Sequence, residues 1–310
     1  MYDCLIIGGG PAGISAAIYI HRFGYNPLIL GAEYGGACVR THLIENYPGF
    51  PSISGWDLMQ KFEEHYQSFG IELKMENIVS IEKKEENGQL SFIATTDMGE
   101  KFEGKTILIA TGTRYRKLNI PGEQEFHGRG LSYCATCDGA IDRDKKVIVV
   151  GGSDSAAKEA LFLTKFASKV YIVYRKEKLR CEHINRKRIE KEPKIQIIPN
   201  TVITEILGDE SGIKKVRFNT GELFEIDGVF VEIGADPNSD LIVPLDVKLN
   251  DKKEIIVDEG ARTNIRGVYA AGDVTTIREK QVINAAAHGV CASFSIREHL
   301  DEFVDSCELN

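Results

Sequence analysis

Cys4-Leu5-Ile6-Ile7-Gly8-Gly9-Gly10-Pro11-Ala12-Gly13 reads as an apolar strand running into a glycine turn, and Ile14 to Phe23 continues it as a helix. The spacing is G-x-G-x-x-G between strand and helix. Gly8 permits the tight turn, Gly10 lets the backbone approach a pyrophosphate, and Gly13 lets helix and strand pack closely. The phosphate sits best at the helix N-terminus, where free N–H groups and the helix dipole favour an anion. A lone motif of this kind is weak; its strand and helix context makes it strong. Pro11 and Ala12 belong to the same turn. The acid expected for a ribose about twenty residues on is missing from Leu28-Ile29-Leu30-Gly31, and Glu33 is the nearest candidate. Two later strands end in small-residue turns that support the same site: Thr106 to Ile109 into Ala110-Thr111-Gly112, and Gly267 to Ala271 into Gly272-Asp273. Asp273 is placed to cap the next helix, to accept from a ligand hydroxyl, or to do both.

A second unit of the same layout follows. Val147-Ile148-Val149-Val150 runs into Gly151-Gly152-Ser153-Asp154-Ser155-Ala156, and Ala157 to Phe166 reads as a helix. The template G-x-G-x-x-A is met at Gly151 and Ala156, with Ser153 in place of the middle glycine. Serine costs close backbone approach, although its hydroxyl can bond a phosphate. The next strand, Val170 to Val173, ends in Tyr174-Arg175-Lys176, with Arg180 beyond it. A carboxylate here would indicate an unphosphorylated ribose; basic residues suit a 2′-phosphate. The competing reading is a solvated basic loop, since Lys178, Arg186, Lys187 and Arg188 are near. Hairpin-like segments, Ile78 to Lys83 with Leu90 to Thr95 and Val202 to Leu207 with Lys215 to Asn219, flank turn signals. The expected fold is therefore α/β, with two Rossmann-like nucleotide-binding domains and a small antiparallel layer in each.

The chain has 310 residues, 43% hydrophobic and 27% charged, enough for two soluble domains. A net charge of -8 argues against nucleic acid as the main partner. No apolar run reaches membrane-spanning length, and the start lacks the basic region and cleavage site of a signal peptide, so no membrane association and a cytoplasmic location are expected. The seven cysteines do not read as a secreted disulfide framework. Only Cys134 and Cys137 are close, in Ser132-Tyr133-Cys134-Ala135-Thr136-Cys137-Asp138-Gly139. Such a pair can close a disulfide, bind a metal, or do neither. A structural zinc site normally takes four ligands, and the chain has neither a second CxxC nor a following HxxxH, so no metal is expected. Lying between two dinucleotide signatures, the pair favours redox chemistry.

Together these elements resemble the low-molecular-weight thioredoxin reductases over nearly the whole chain. The resemblance rests on Gly8, Gly10 and Gly13; Glu45-Asn46-Tyr47-Pro48-Gly49; Ala110-Thr111-Gly112; Cys134-Ala135-Thr136-Cys137-Asp138-Gly139; Gly272-Asp273; and Lys280-Gln281-Val282. It implies an FAD-binding domain formed by residues 1–116 and 243–310, split by an inserted NAD(P)H-binding domain, 117–242, that carries the dithiol. Electrons would pass from NADPH through FAD and Cys134–Cys137 to the disulfide of thioredoxin or a similar small redox protein. Cys137 would face the flavin, Cys134 would attack the partner disulfide, and Asp138 would protonate a leaving thiolate. Arg175, Lys176 and Arg180 match the basic set for the NADPH phosphate, with Tyr174 where the family usually has histidine. Asn46, Asp273 and Gln281 match positions near the flavin. A homodimer and a rotation of the inserted domain between two states are implied likewise.

Four positions depart from the family pattern: Ser153, Lys176 where an arginine is usual, Ala37 after Gly36, and Ala140-Ile141 where an aromatic pair docks the partner. Cys38 in Gly35-Gly36-Ala37-Cys38-Val39 partly resembles a glutathione-reductase redox helix, but the second cysteine of that class is Leu43 here. Cys38 is therefore read as a packed thiol, and Cys4, Cys181, Cys291 and Cys307 with it. The alternatives are the same machinery fed by NADH, ferredoxin or reduced deazaflavin, a dithiol oxidase, or a redox-sensing flavoprotein without turnover.

Overall fold

The computed structural model describes residues 1–310 except 42, 87, 136–142, 309 and 310, and it leaves the side chains of 303–308 undescribed. The chain divides into two units: Met1–Arg114 with Asp236–Asn310, and Tyr115–Ala235.

In the first unit, strand Tyr2–Gly9 lies between Pro27–Tyr34 and Lys101–Ile109, parallel to both. Cys4, Leu5, Ile6 and Ile7 are all buried, as a parallel strand covered on both faces requires. Alternation sorts these residues between two cores. Cys4 and Ile6 join Ile14, Ile18, Ile296 and Leu300 under the helices Pro11–Arg22 and Val282–Glu308. Leu5 and Ile7 join Phe92, Ile242, Leu245 and Ile255 on the other side. Strand order is Glu72–Lys74, Pro27–Tyr34, Tyr2–Gly9, Lys101–Ile109, Gln89–Thr96, Ile78–Glu86, with Val268–Ala270 also paired to Lys101–Ile109. The antiparallel hairpin Ile78–Glu86/Gln89–Thr96 thus continues the main sheet.

The second unit has five parallel strands in the order Ile195–Pro199, Lys169–Tyr174, Lys146–Gly151, Gly228–Glu232, Leu131–Ser132. Val147 and Val149 face Ala156, Ala157 and Ala160 of the helix Asp154–Leu163. Ile148 and Val150 face Ile206 and Val216 of a three-stranded antiparallel layer, Ile203–Asp209, Gly212–Phe218 and Leu223–Glu225. The two Rossmann-like layouts are present, with antiparallel strands in each.

The inserted unit is Tyr115–Ala235 rather than 117–242. Its C-terminal limit comes earlier because the 3-10 turn Asp240–Leu245 buries Ile242 and Leu245 in the first unit's core. Asn238 also exchanges hydrogen bonds with Thr111, accepting from Thr111 Oγ1 at its carbonyl (2.7 Å) and donating from Nδ2 to the Thr111 carbonyl (3.0 Å). Among the described residues no helix is long and apolar enough to cross a membrane.

Candidate dinucleotide and redox sites

In the first unit the three glycines of the turn do different work. Gly8 has φ +125, and a Cβ there would lie 2.2 Å from the Ala110 carbonyl oxygen. A Cβ on Gly13 would lie 2.0 Å from the Gly8 carbonyl oxygen. Both positions are closed by the protein's own backbone. Gly10 is different: it caps the helix Pro11–Arg22 at φ -87, and the nearest atom to an added Cβ is Gly35 O at 3.9 Å. The space over Gly10 is open, and it lies at the N-terminus of a twelve-residue helix with no acid in its first turn. That cradle fits the pyrophosphate of a dinucleotide.

Some of the other predicted residues of this unit touch the same helix end. Ala12 is touched from two sides: a Cβ on Gly272 would come within 3.0 Å of its Cβ, and one on Gly289 within 2.0 Å of its carbonyl oxygen. Ala110 donates its N–H to the Ile7 carbonyl (2.8 Å), and Asn238 donates to the Gly112 carbonyl (3.0 Å). Asp273 lies inside the 3-10 turn Gly272–Val274, whose N-cap is Ala271. Burial pushes its carboxyl up, and the positive charge of Lys280 pulls it partly back. Lys280 Nζ donates to the carbonyls of Asp273 (3.0 Å) and Thr275 and pairs with Glu254 (3.2 Å). Asn46 Nδ2 donates to Gln281 Oε1 (3.0 Å), which joins two motifs far apart in sequence. Val282 starts the last helix. Glu33 is exposed at the end of strand Pro27–Tyr34 and is ion-paired with Arg40. His288 carries no motif signal, yet its Nδ1 accepts from the Gly272 N–H (3.2 Å). Burial, then the Lys280 charge, holds it below its usual range, so it accepts as a neutral ring.

In the second unit Gly151 has φ +156, and a Cβ there would lie 2.2 Å from the Glu232 carbonyl oxygen. Ser153 caps the helix Asp154–Leu163 at φ -86, ψ -179, while Gly10 has φ -87, ψ -175. The two turns have one backbone frame, so serine is unstrained and differs from glycine only by the group it projects. A Cβ on Gly152 would lie 2.4 Å from the Tyr174 ring. Arg180 donates its backbone N–H to the Gly152 carbonyl (2.7 Å) and its Nε to Tyr174 Oη (3.1 Å), which fixes it beside the turn. Arg175 and Lys176 are exposed just past strand Lys169–Tyr174, and Ser155 is exposed in the first helical turn. The Asp154 carboxylate is engaged within the protein: it accepts from the Glu182 N–H (3.0 Å) and Asn185 Nδ2 (2.8 Å) and pairs with Lys158 (2.9 Å). Burial alone would raise this carboxyl, but its bonds to Lys158, Asn185 and Glu182 outweigh that and hold it below its ordinary value.

Cys134 follows the edge strand Leu131–Ser132 in this same unit, is buried, and is disulfide-bonded. Its N–H donates to Ser132 Oγ (2.9 Å), which donates back to the Cys134 carbonyl (3.2 Å). Tyr133 Oη donates to Glu123 (2.6 Å), a buried carboxylate that also accepts the N–H groups of Leu118 and Asn119 (2.6 Å each). Ala135 donates its N–H to Glu159 Oε1 (3.0 Å). Glu123 and Glu159 have no motif signature and were invisible to sequence reading. Cys137 and Asp138 lie outside the described residues. Cys4 and Cys38 are buried free thiols pushed up to about 12 by desolvation, unreactive as expected. Cys181 is half-buried against the second unit's helical core. Cys291 departs from the packed reading: it is an exposed free thiol on the outer face of the last helix.

Residues 2–289 match the family model of the pyridine nucleotide-disulphide oxidoreductases. The chain is 38% identical over 314 aligned positions to the thioredoxin reductase of Listeria monocytogenes, covering 99% of this chain and 97% of that one. Among solved structures, the thioredoxin reductase of Lactococcus lactis superimposes with a TM-score of 0.92 at 39% identity, covering 97% of this chain and all of that one. The thioredoxin reductase of T. acidophilum follows at 0.89 and 35%, covering 96% and 98%. Two glycine turns of one backbone geometry, a disulfide-bonded Cys134 in the unit of the second, and likeness over nearly the full length agree: the chain belongs to the pyridine nucleotide-disulphide oxidoreductases and, within them, to the thioredoxin reductase family.

Proposed function

We propose that this chain is a thioredoxin-disulfide reductase that uses FAD and takes its electrons from NADPH. The observation that carries the reading is the Cys134 disulfide, held in the unit that repeats the dinucleotide turn of the first. FAD, when bound, supplies the two-electron transfer that links a hydride donor to a disulfide. Gly8, Gly10, Pro11, Ala12 and Gly13 would hold its pyrophosphate, and Glu33 would take the ribose. Ala110, Thr111, Gly112, Gly272 and Asp273 would also hold FAD, Asp273 by accepting from a hydroxyl, with Asn46, Lys280, Gln281 and Val282 near the flavin. Gly151, Gly152, Ser153, Asp154 and Ser155 would form the NADPH turn. There Asp154 acts through its backbone, since its carboxylate is tied to Asn185 and Lys158. Arg175, Lys176 and Arg180 would hold the 2′-phosphate.

The thiol chemistry belongs to the chain itself. The Cys134 thiolate attacks the partner disulfide, forms a mixed disulfide, and releases one partner thiolate, which Asp138 protonates. Cys137 then displaces the second partner thiolate and restores the Cys134–Cys137 bond. We infer further that the chain forms a homodimer in the cytoplasm. The exposed rings of Tyr19 and Phe294, clustered with Phe23 on the first and last helices, supply apolar surface for a second copy.

Cys134→Ser should abolish thioredoxin reduction while the purified protein keeps its flavin absorbance; retained turnover overturns the assignment. Arg175→Ala with Arg180→Ala should erase the preference for NADPH over NADH. One charge-assisted phosphate contact contributes about 1.5–3 kcal/mol, or about ten- to a hundredfold, and the loss should fall mainly on KM for NADPH. Reduction of the wild-type flavin by ferredoxin but by neither nicotinamide overturns the donor.

A further inference from the structure

Glu232 closes strand Gly228–Glu232 in register with Gly151, the first residue of the glycine turn, and is buried there. Glu159 reaches it from the second turn of helix Asp154–Leu163. One Glu159 oxygen, Oε1, accepts the N–H of Ala135, next to Cys134. The other, Oε2, is buried and has no donor. The two carboxyl groups lie within hydrogen-bonding reach of one another. Two carboxylates offer only acceptors, and two like charges in such a site resist ionising together. A proton on one of them supplies the donor that Glu159 Oε2 lacks.

Among the described residues, the surrounding elements offer no counter-charge. On the same helix, Lys158 and Asp154 pair with each other (2.9 Å). Lys146 sits at the opposite end of its strand, where its N–H meets Asp227 (2.9 Å). On the edge segment, Cys134 is bonded as a disulfide. Among the described residues, the only ionisable group acting on either carboxyl is the other one. Burial pushes Glu159 up to about 7, and burial with the charge of Glu159 pushes Glu232 up to about 9. These values belong to the pair rather than to either residue.

We infer that Glu159 and Glu232 share one proton and act as a positioning pair for the chain at Cys134, holding the adjacent Ala135 amide and setting one negative charge, not two, next to it. This rests on the reading of Cys134 as a redox cysteine. When the disulfide takes up two electrons, one sulfur leaves as a thiolate, whose charge tightens the pair's hold on its proton. Loss of that proton at high pH opposes reduction. The thiol–disulfide equilibrium of Cys134 therefore carries an inflection where the pair titrates, in addition to the titration of the thiols.

The test compares full-length wild type with Glu232→Gln and Glu159→Gln. Glutamine at 232 donates an N–H to Glu159 Oε2 without a titratable proton, so the fold is kept. Two readouts apply: infrared difference spectra in H2O and D2O for a protonated buried carboxyl, and the pH dependence of Cys134 alkylation against a dithiol redox buffer. Wild type should show a carboxylic-acid band that titrates and an inflection at the same pH; in Glu232→Gln the higher of the two steps should vanish from both readouts, leaving that of buried Glu159. Glu159→Gln should move the remaining Glu232 titration down, since the charge and bond of Glu159 that raise it are gone, while its carbonyl still accepts the Ala135 N–H. No protonated-carboxyl band in wild type, or an unchanged inflection in Glu232→Gln, overturns the inference. A Cys134 that no reductant makes alkylatable in wild type overturns the functional reading instead.

Discussion

Gly10→Ala and Gly13→Ala add the same methyl group three residues apart and should have opposite effects. At Gly10, φ -87 and ψ -175 are open to alanine, and the nearest atom to the new Cβ is 3.9 Å away. The flavin-free protein is therefore not strained, and the stiffer unfolded chain should stabilise it by about 0.4–1 kcal/mol. The methyl instead occupies the approach of the pyrophosphate. Loss of one charge-assisted N–H contact, about 1.5–3 kcal/mol, weakens FAD binding about ten- to a hundredfold. At Gly13 the new Cβ meets Gly8 O at 2.0 Å and Ile6 Cγ2 at 3.1 Å. Backbone cannot yield as a side-chain tip can, so helix and strand must part, at an overpacking cost of about 1–3 kcal/mol or more. The better helix propensity of alanine offsets about 1 kcal/mol of this. Urea unfolding of the flavin-free proteins and fluorescence titration with FAD separate the two effects. If Gly10→Ala binds FAD as tightly as wild type, or is less stable than Gly13→Ala without flavin, the account of an open cradle over Gly10 is wrong.

Ser153→Gly keeps the backbone frame and removes the projecting group, so KM for the nicotinamide nucleotide should fall by about 1 kcal/mol, roughly fivefold; a rise in KM would mean that the hydroxyl itself binds phosphate. Stability should depend on pH through the raised carboxyls. Glu159 and Glu232 hold protons more tightly folded than unfolded, so their contribution is complete below the unfolded value of about 4 and is lost as pH rises through about 7 and about 9. The thermal midpoint of the flavin-free protein should therefore fall over that window by scanning calorimetry, and less in Glu232→Gln; a flat profile in wild type would refute the linkage.

What the sequence made legible was local and periodic. The run Cys4 to Ile7 announces a strand buried on both faces, and the glycines behind it announce a turn, because each effect acts within a few residues. The helix expected from Ala157 to Phe166 starts earlier, at Asp154, because Ser153 already supplies the extended N-cap conformation. The pairing of Glu159 with Glu232 stayed hidden, since burial at the end of one strand and the second turn of one helix creates it and no spacing rule connects the two. Asp154 illustrates the same limit: its place in the turn was readable, but Asn185 and Lys158, which engage its carboxylate, were not. Cys291 was grouped with packed thiols because an isolated cysteine is usually buried, and nothing in its neighbours marked the outer face of the last helix.

The shared frame of the turns at Gly10 and Ser153 bears on how such a protein changes over time. The frame of the second turn is set by close backbone approaches, Gly151 against Glu232 and Arg180 N–H against the Gly152 carbonyl. If the nicotinamide nucleotide binds as proposed above, the side chains facing it at 153, 175 and 176 stand outside that frame. Substitution at those positions leaves the close backbone approaches untouched. Folding of the turn and recognition of the nucleotide would thus rest on different residues, so one can vary without the other.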